Sequence, residues 1–255
     1  MLGDRIAKKK ANELLEYYGV EEAEHIRLRD MARDMGVKVE VGSLKDAAAR
    51  LSILNGKAFI RIRDCDDENQ IRFSIAHEFG HFQLHAEKIK SKTCQEIDFV
   101  NWSSDATLEL EANIFSAELL LPSFLMKERC DVPRVNFKPV IDLANEFRTS
   151  LTSTTLRFVE MCPEPCAVVL SKAGKVSWFK KNDDFWPYVF AAGSSLNNRS
   201  LTYNVFAGGE LHTNPEEVPA EAWTNSRIDS DAEVTEHVIP MPNYGVALTL
   251  LWLRT

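Results

Sequence analysis

Apolar residues recur at helical spacing near the start of the chain. Ile6, Leu14, Leu15 and Tyr18 form a stripe that predicts a helix over 5–18, closed by Gly19, and a second helix over 22–35 ends at Gly36. Val37, Val39 and Val41 then alternate with polar residues, as in a strand. Leu51 to Leu54 and Ala58 to Ile62 flank Asn55-Gly56, the signature of a β-hairpin. A polar run over 64–70, DCDDENQ, reads as a loop before the next helix. Phe73, Ala76, Gly80 and Leu84 return to three- and four-residue steps without proline, predicting a helix over 73–85. Residues 86–107 show little periodicity and read as a loop. Leu108, Ala112, Phe115, Leu119 and Leu120 mark a further helix over 108–121, stopped by Pro122.

The texture then changes twice. Two short helices, 140–147 and 151–159, surround an Arg-Thr-Ser turn in the outline of a helix-turn-helix. Pro163 and Pro165 mark a boundary, beyond which the pattern is mixed α+β. Ala167–Leu170 and Val176–Phe179 read as a hairpin on an Ala-Gly turn, Phe185–Ala192 as a helix, and Leu201–Phe206 and Val246–Leu253 as strands. The last is apolar enough for the middle of a sheet. Trp178, Phe185, Trp186 and Trp223 read as aromatic core.

The chemistry concentrates on two of these helices. His77-Glu78-Phe79-Gly80-His81 is an H-E-x-x-H motif. On a helix, residues four apart lie about 40° apart and about one turn along the axis, so both imidazoles reach one metal ion. Glu78 beside them is placed to take a proton from a metal-activated water. On the following helix Glu109 and Asn113 share a face, whereas Glu111 lies about 200° from Glu109. Two His and one Glu with an open fourth position is the donor set of a hydrolytic zinc centre. Glu109 is the expected third ligand; Glu111 takes its place if the helix is rotated. Asn113 is expected to hydrogen-bond a ligand histidine and fix its tautomer. His85 lies eight residues, about 12 Å, from His77, too far to share an ion with bonds of about 2.1 Å, so a structural or supporting role is expected. Gly80 is expected to let a second helix approach closely. Zn²⁺, one per chain, is the expected metal, although Mn²⁺ and Fe²⁺ suit the same donors.

Composition narrows the class. The chain has 255 residues, 45% hydrophobic and 27% charged, which suits one large or two modest folded domains. A net charge of −8 argues against a general nucleic-acid surface. No run of 18 apolar residues suggests a membrane span, and the amphipathic first helix lacks a signal-peptide core, so a cytoplasmic protein is expected. Five spread cysteines fit reduced thiols, with Cys162-Pro-Glu-Pro-Cys166 read as a linker. DNA binding by the helical pair is disfavoured, because its second helix carries only Arg157 and its turn only Arg148.

The run His77-Glu78-Phe79-Gly80-His81-x-x-x-His85, followed by Glu109-x-x-Ala112-Asn113-x-Phe115-x-x-x-Leu119-Leu120-x-Pro122, resembles the ImmA/IrrE family of zinc metallopeptidases. Phe79 and Ser116 depart mildly from the family pattern. The resemblance implies a gluzincin-like metallopeptidase domain over 1–135, a helix-turn-helix-like helical segment over 136–162 and a GAF-like sensor or interaction domain over 163–255. It implies zinc on His77, His81 and Glu109, with Glu78 as general base. It further implies a regulatory endopeptidase that cleaves a helix-turn-helix transcriptional repressor, derepressing a stress-response or mobile-element regulon. A small-molecule or protein regulator would act at the C-terminal domain. An edge strand beside the cleft is expected to pair with extended substrate, with Phe59, Ile60, Arg61 and Ile62 as candidates. The competing expectation is a non-catalytic regulator that binds DNA or a repressor and keeps its metal for structure.

Overall fold

The computed structural model describes residues 2–45, 47–54, 57–65, 67–86, 91–94, 107–185, 191–224 and 232–253. It is a mixed α+β chain with two separate sheets. It divides into two compact units, Met1–Met126 with Leu143–Ser153, and Lys127–Asp142 with Thr154–Thr255. Among the described residues no helix is long and apolar enough to cross a membrane.

The first unit begins with α1 (Leu2–Tyr17), which buries Ala7, Ala11, Leu14 and Leu15. Small residues on that face let α1 lie close to its neighbour. Ile6, expected in the stripe, instead lies on the outer side at 53% exposure. The single helix expected over 22–35 is broken into a 3-10 turn at Ala23–His25 and α2 (Leu28–Asp34). The His25 ring accepts from the Glu21 amide, and the Arg27 amide bonds back to the His25 carbonyl, so the first turn closes on itself.

A four-stranded sheet follows, formed by β1 (Val37–Gly42), β2 (Ala49–Leu54), β3 (Lys57–Arg63) and β4 (Ser91–Cys94) in the order β1-β3-β2-β4. β2 and β3 are antiparallel; their Asn55-Gly56 turn lies outside the described residues. β4 lies within the stretch expected to be loop. It pairs Ala49 with Cys94 through Ser52 with Ser91. Four residues are too short to register as an alternating pattern.

This order corrects the expectation for Phe59 to Ile62. Each is paired on both sides, with Lys38 to Val41 of β1 and with Ser52 to Ala49 of β2. With their ladder positions taken, they cannot add a substrate strand. Among the described residues the edges of the sheet are β1 and β4.

α3 (Glu68–His85) starts five residues earlier than its apolar pattern suggests. Asp67 caps it, accepting from the amides of Asn69 at 2.9 Å and Gln70 at 3.2 Å. The polar run is therefore partly a helix start, chosen by capping rather than hydrophobicity. α3 packs on β2, β3 and α4 (Thr107–Leu120), and every residue from Ser74 to His81 is buried. Gly80 allows the approach of α4: a Cβ there would lie 2.9 Å from Phe115 Cδ1 and 3.3 Å from the Ala112 carbonyl.

Helices α6 (Phe137–Phe147) and α7 (Leu151–Met161) follow a short α5 (Ser123–Met126). Arg157, the one basic residue of α7, is 3% exposed and pairs with Glu160 at 3.1 Å, which agrees with the expectation that this helical pair does not bind DNA. The pair is shared between the two units, at Asp142/Leu143 and Ser153/Thr154. Twenty-seven residues cannot cover Val140, Leu143, Phe147, Leu156, Phe158 and Val159, all of which are buried.

The second unit is built on a five-stranded antiparallel sheet in the order β6-β5-β9-β8-β7. Its strands are β5 (Cys166–Lys172), β6 (Lys175–Lys181), β7 (Glu216–Pro219), β8 (Glu233–Met241) and β9 (Val246–Trp252). β9 is central, as its apolar run predicts. Ala173 and Gly174 both have positive φ, 49° and 73°, which suits the two-residue β5–β6 turn.

Residues 201–206, expected as a strand, form helix α8 (Leu201–Ala207). Ser200 caps it, accepting from the Tyr203 amide, and Gly208 ends it in the left-handed region at φ 71°. The buried Glu236 carboxylate of β8 accepts from the Leu201 and Thr202 amides, the Thr202 hydroxyl and Trp223 Nε1 at 2.6–3.1 Å. Caps at both ends and a remote carboxylate override the β-prone Thr, Tyr, Val and Phe. Phe185 and Trp223 are core, whereas residues 186–190 of the expected helix, including Trp186, lie outside the described residues.

Candidate metal centre

α3 and α4 bring three donor atoms together. His77 and His81, one turn apart on α3, place their Nε2 atoms 3.1 Å from each other. Glu109 Oε2, from the first turn of α4, lies 3.1 Å from His77 Nε2 and 3.4 Å from His81 Nε2. This is the one group of three or more His, Cys, Asp or Glu donors close enough to hold an ion among the described residues. A tetrahedral zinc with bonds of about 2.0–2.1 Å separates its ligand atoms by about 3.3 Å, so the triad matches the ion in size.

The opposite ring nitrogens are held by other groups. His77 Nδ1–H donates to Asn113 Oδ1 at 2.9 Å, which leaves the Nε2 lone pair directed at the cluster. His81 Nδ1 lies 3.3 Å from His85 Nδ1, and His85 Nε2 lies 2.8 Å from Glu111 Oε2. The Glu111 carboxylate can only accept, so a neutral His85 is protonated at Nε2 and presents Nδ1 as acceptor. His81 Nδ1–H therefore donates, and its Nε2 lone pair also faces the cluster. Glu111 sets the tautomer of His85, and His85 sets that of His81.

Burial reinforces the arrangement. His77, His81 and His85 are 2%, 0% and 3% exposed, while the Glu109 side chain keeps 22%, so the cluster opens to solvent on the Glu109 side. Glu78 is fully buried next to His77. Glu111 does not join the triad; it supports it from behind. No local sequence signal identifies it, since its pairing with His85 depends on how α4 is rotated against α3.

Several other residues fall elsewhere. Phe59, Ile60, Arg61 and Ile62 are interior to the sheet, with Arg61 paired to Glu40 at 3.1 Å. Cys162 and Cys166 are buried thiols hydrogen-bonded to each other. The Cys166 thiol holds the pKa of Cys162 below its ordinary value, and the same contact together with burial raises that of Cys166. The linker expected there is braced: the Asn182 side chain donates to the Cys162 and Glu164 carbonyls and accepts from the Cys166 amide. Burial lowers the pKa of His237, whose Nδ1 accepts from the Phe137 amide at 3.1 Å.

Comparison with known proteins finds two likenesses. Residues 32–158, which include α3, α4 and all three donors, match a peptidase family described as the IrrE N-terminal-like domain. No match is found among curated proteins. A solved structure of a Mycobacterium tuberculosis transcriptional regulator shares the fold, with a TM-score of 0.57 and 14% identity, over 98% of this chain and 76% of that one.

Proposed function

We propose that this chain, which carries an IrrE N-terminal-like domain, is a zinc-dependent endopeptidase whose substrate is a helix-turn-helix transcriptional repressor. The observation that carries the reading is the convergence of His77 Nε2, His81 Nε2 and Glu109 Oε2 within 3.1–3.4 Å of one another, with Glu78 following His77 on the same buried helix.

When bound, zinc lowers the pKa of a water toward neutrality and polarises the scissile carbonyl. Glu78 is the general base: its carboxylate takes the proton from the attacking water and returns it to the leaving amine nitrogen. Its complete burial keeps bulk water from competing for that proton. Asn113 and His85 hold the two imidazoles with Nε2 turned to the site, so little reorganisation accompanies each turnover. Substrate backbone would add to β1 or β4, the outer strands of the first sheet among the described residues.

Around this centre the working division is a gluzincin-like peptidase domain over 1–135, a helical segment over 136–162 and a GAF-like sensor or interaction domain over 163–255. The single antiparallel sheet with α8 packed on it supports the last of these. Cleavage of the repressor would derepress a stress-response or mobile-element regulon in the cytoplasm, with a small molecule or protein acting on the C-terminal domain. The burial of Arg157 supports a role for the α6–α7 pair other than DNA binding.

The test uses wild type and Glu78→Gln. Metal content is counted in both, and each is incubated with helix-turn-helix repressors. The expected result is one zinc per chain in both and cleavage by wild type alone, with Glu78→Gln slower by at least about 10²-fold. Equal cleavage by the two proteins would remove Glu78 from the mechanism. Binding of a repressor by metal-loaded wild type without cleavage would instead favour a non-catalytic regulator.

A further inference from the structure

β8 runs from Glu233 to Met241, but β7 pairs only with its residues 233–236. From His237 onward the outer side of β8 has no strand beside it among the described residues. A cavity of about 410 Å³ opens there. Its walls are residues 237–240 of β8, the first turns of α6 and residues 211–213 ahead of β7. All of these residues belong to the second unit.

The walls are mostly apolar. Phe137, Ile141, Leu211, Val238, Ile239 and Pro240 supply them, and the Phe137 and His237 rings meet edge to face with centroids 5.1 Å apart. Ile141 and Leu211 keep 39% and 56% of their surface exposed, a large apolar area for solvent to cover. The titratable groups of the lining are each engaged. Lys138 Nζ pairs with Asp142 at 2.8 Å and His212 Nδ1 with Glu216 at 2.6 Å. His237 accepts the Phe137 amide on Nδ1 and also hydrogen-bonds the Thr213 backbone. No charged side chain of the lining is left over to recognise a charged guest, whose ion would be set against apolar walls at a cost. A peptide strand is disfavoured as well, because Pro240 lacks an N–H for continued pairing along β8. The volume lies in the range of small-molecule sites, about 300–1,000 Å³.

We propose that this cavity is a binding site for an uncharged, predominantly apolar small molecule. Such a guest would cover Ile141 and Leu211 and lie against the Phe137–His237 ring pair. It would tie residues 211–213, β8 and the start of α6 together, filling the space that the short β7 leaves beside β8. The regulator acting on the second unit thereby gains a place and a chemical class. Its effect on cleavage rests on the peptidase reading; the binding does not, and the test reads binding alone.

The experiment follows the melting temperature of the full chain with two neutral probes, indole and 2-naphthol. Their charged counterparts, indole-3-acetate and 2-naphthoate, and the capped dipeptide acetyl-Leu-Leu-amide are run beside them. Wild type is compared with Leu211→Ser, an exposed change, and Ile141→Trp, which fills the cavity from its partly exposed side. The expected result is a saturable rise in Tm for wild type with a neutral probe, and a response to its charged counterpart at least about tenfold weaker. Leu211→Ser should weaken the apparent affinity about five- to tenfold, and Ile141→Trp should lose the response. Leu211→Ser alone decides if Ile141→Trp melts far below wild type without any probe. An equal rise in wild type and Leu211→Ser, or no saturable rise up to the solubility limit of either neutral probe, would overturn the proposal. Tighter binding of the charged probes would overturn the chemical class, and a response to the dipeptide alone would make the cavity a peptide-docking site instead.

Discussion

At the residue scale, the feature with most consequence is the chain of contacts from Glu111 through His85 to His81. Glu111 never reaches the metal site, but it determines which nitrogen of His81 does. Replacing it with Ala should leave the donors present and loosen the ring that carries one of them. We expect Glu111→Ala to weaken zinc affinity by about 10–100-fold, measured by competition with a chromophoric chelator. A related change comes from the other side of Glu111, where Gly3 of α1 leaves room for its carboxylate. A Cβ at Gly3 would collide with Glu111 Oε1, the movable end of a flexible side chain. Gly3→Ala should therefore displace the carboxylate rather than unfold the helix, and lower zinc affinity in the same assay with little change in Tm. Of this residue-level picture, the H-E-x-x-H spacing and the shared face of Glu109 and Asn113 were legible in the sequence because helical periodicity is local. The pairing of His85 with Glu111 was not, because it depends on how α4 is rotated against α3, which is decided by packing of Ala112, Phe115 and Gly80.

At the scale of elements, the contact between α3 and α4 depends on Gly80. A methyl group there meets the edge of Phe115, which is fully buried and has little room to give, and approaches the Ala112 carbonyl. Overpacking of this kind costs about 1–3 kcal/mol, offset by at most about 1 kcal/mol from the better helix propensity of alanine. Gly80→Ala should thus destabilise the chain by about 1–2 kcal/mol, read as a fall in Tm of a few degrees. It should also weaken zinc binding, because Glu109 and the histidines lie on opposite sides of the widened seam. The elements also show where pattern reading fails. β3 reads as a strand, but only the pairing order reveals that it is interior. α8 has strand-like residues and is nevertheless helical, because Ser200, Gly208 and a carboxylate 35 residues away satisfy its ends.

His237 supplies a pH-dependent link between elements of the second unit. It sits on β8 and accepts the Phe137 amide at the start of α6 through Nδ1, a bond available only to the neutral ring. Burial, partly opposed by a hydrogen bond to the Thr213 backbone, lowers its pKa below the ordinary 6.5 in the folded protein. The unfolded chain therefore binds more protons than the folded one between the two pKa values. Stability is complete above about pH 6.5 and falls as pH drops from there toward the folded pKa. His237→Asn, whose Oδ1 can still accept the amide but does not titrate, should flatten this part of the curve. Urea midpoints for both proteins from pH 5 to 8 would measure it; parallel curves would assign the acid sensitivity to other groups.

At the scale of the whole molecule, the proline pair at 163 and 165 looks like a place to separate a peptidase from a regulatory domain. The division of contacts argues against cutting there. The compact second unit includes Lys127–Asp142 and everything from Thr154 onward, so a chain ending at Pro165 keeps 28 residues of that unit, 127–142 and 154–165, without its sheet. Among them Cys130, Phe137, Leu156, Phe158 and Val159 are buried in the intact protein. His237, the partner of the Phe137 amide, would be gone. A fragment of residues 1–165 should therefore expose a contiguous apolar surface and aggregate, with strong binding of a hydrophobic dye and sedimentation as oligomers, while retaining the residues of the metal site. If it instead remains monomeric and binds zinc like the full chain, the first unit folds independently of the second. Regulation by the C-terminal region is accordingly better tested by changing its interior in the full-length protein. Removal of the Glu236 carboxylate, which holds α8 to the sheet, is a suitable perturbation, with the proposed repressor cleavage as the readout. Cleavage unchanged by such a perturbation would mean that the proposed peptidase centre works without input from the second sheet.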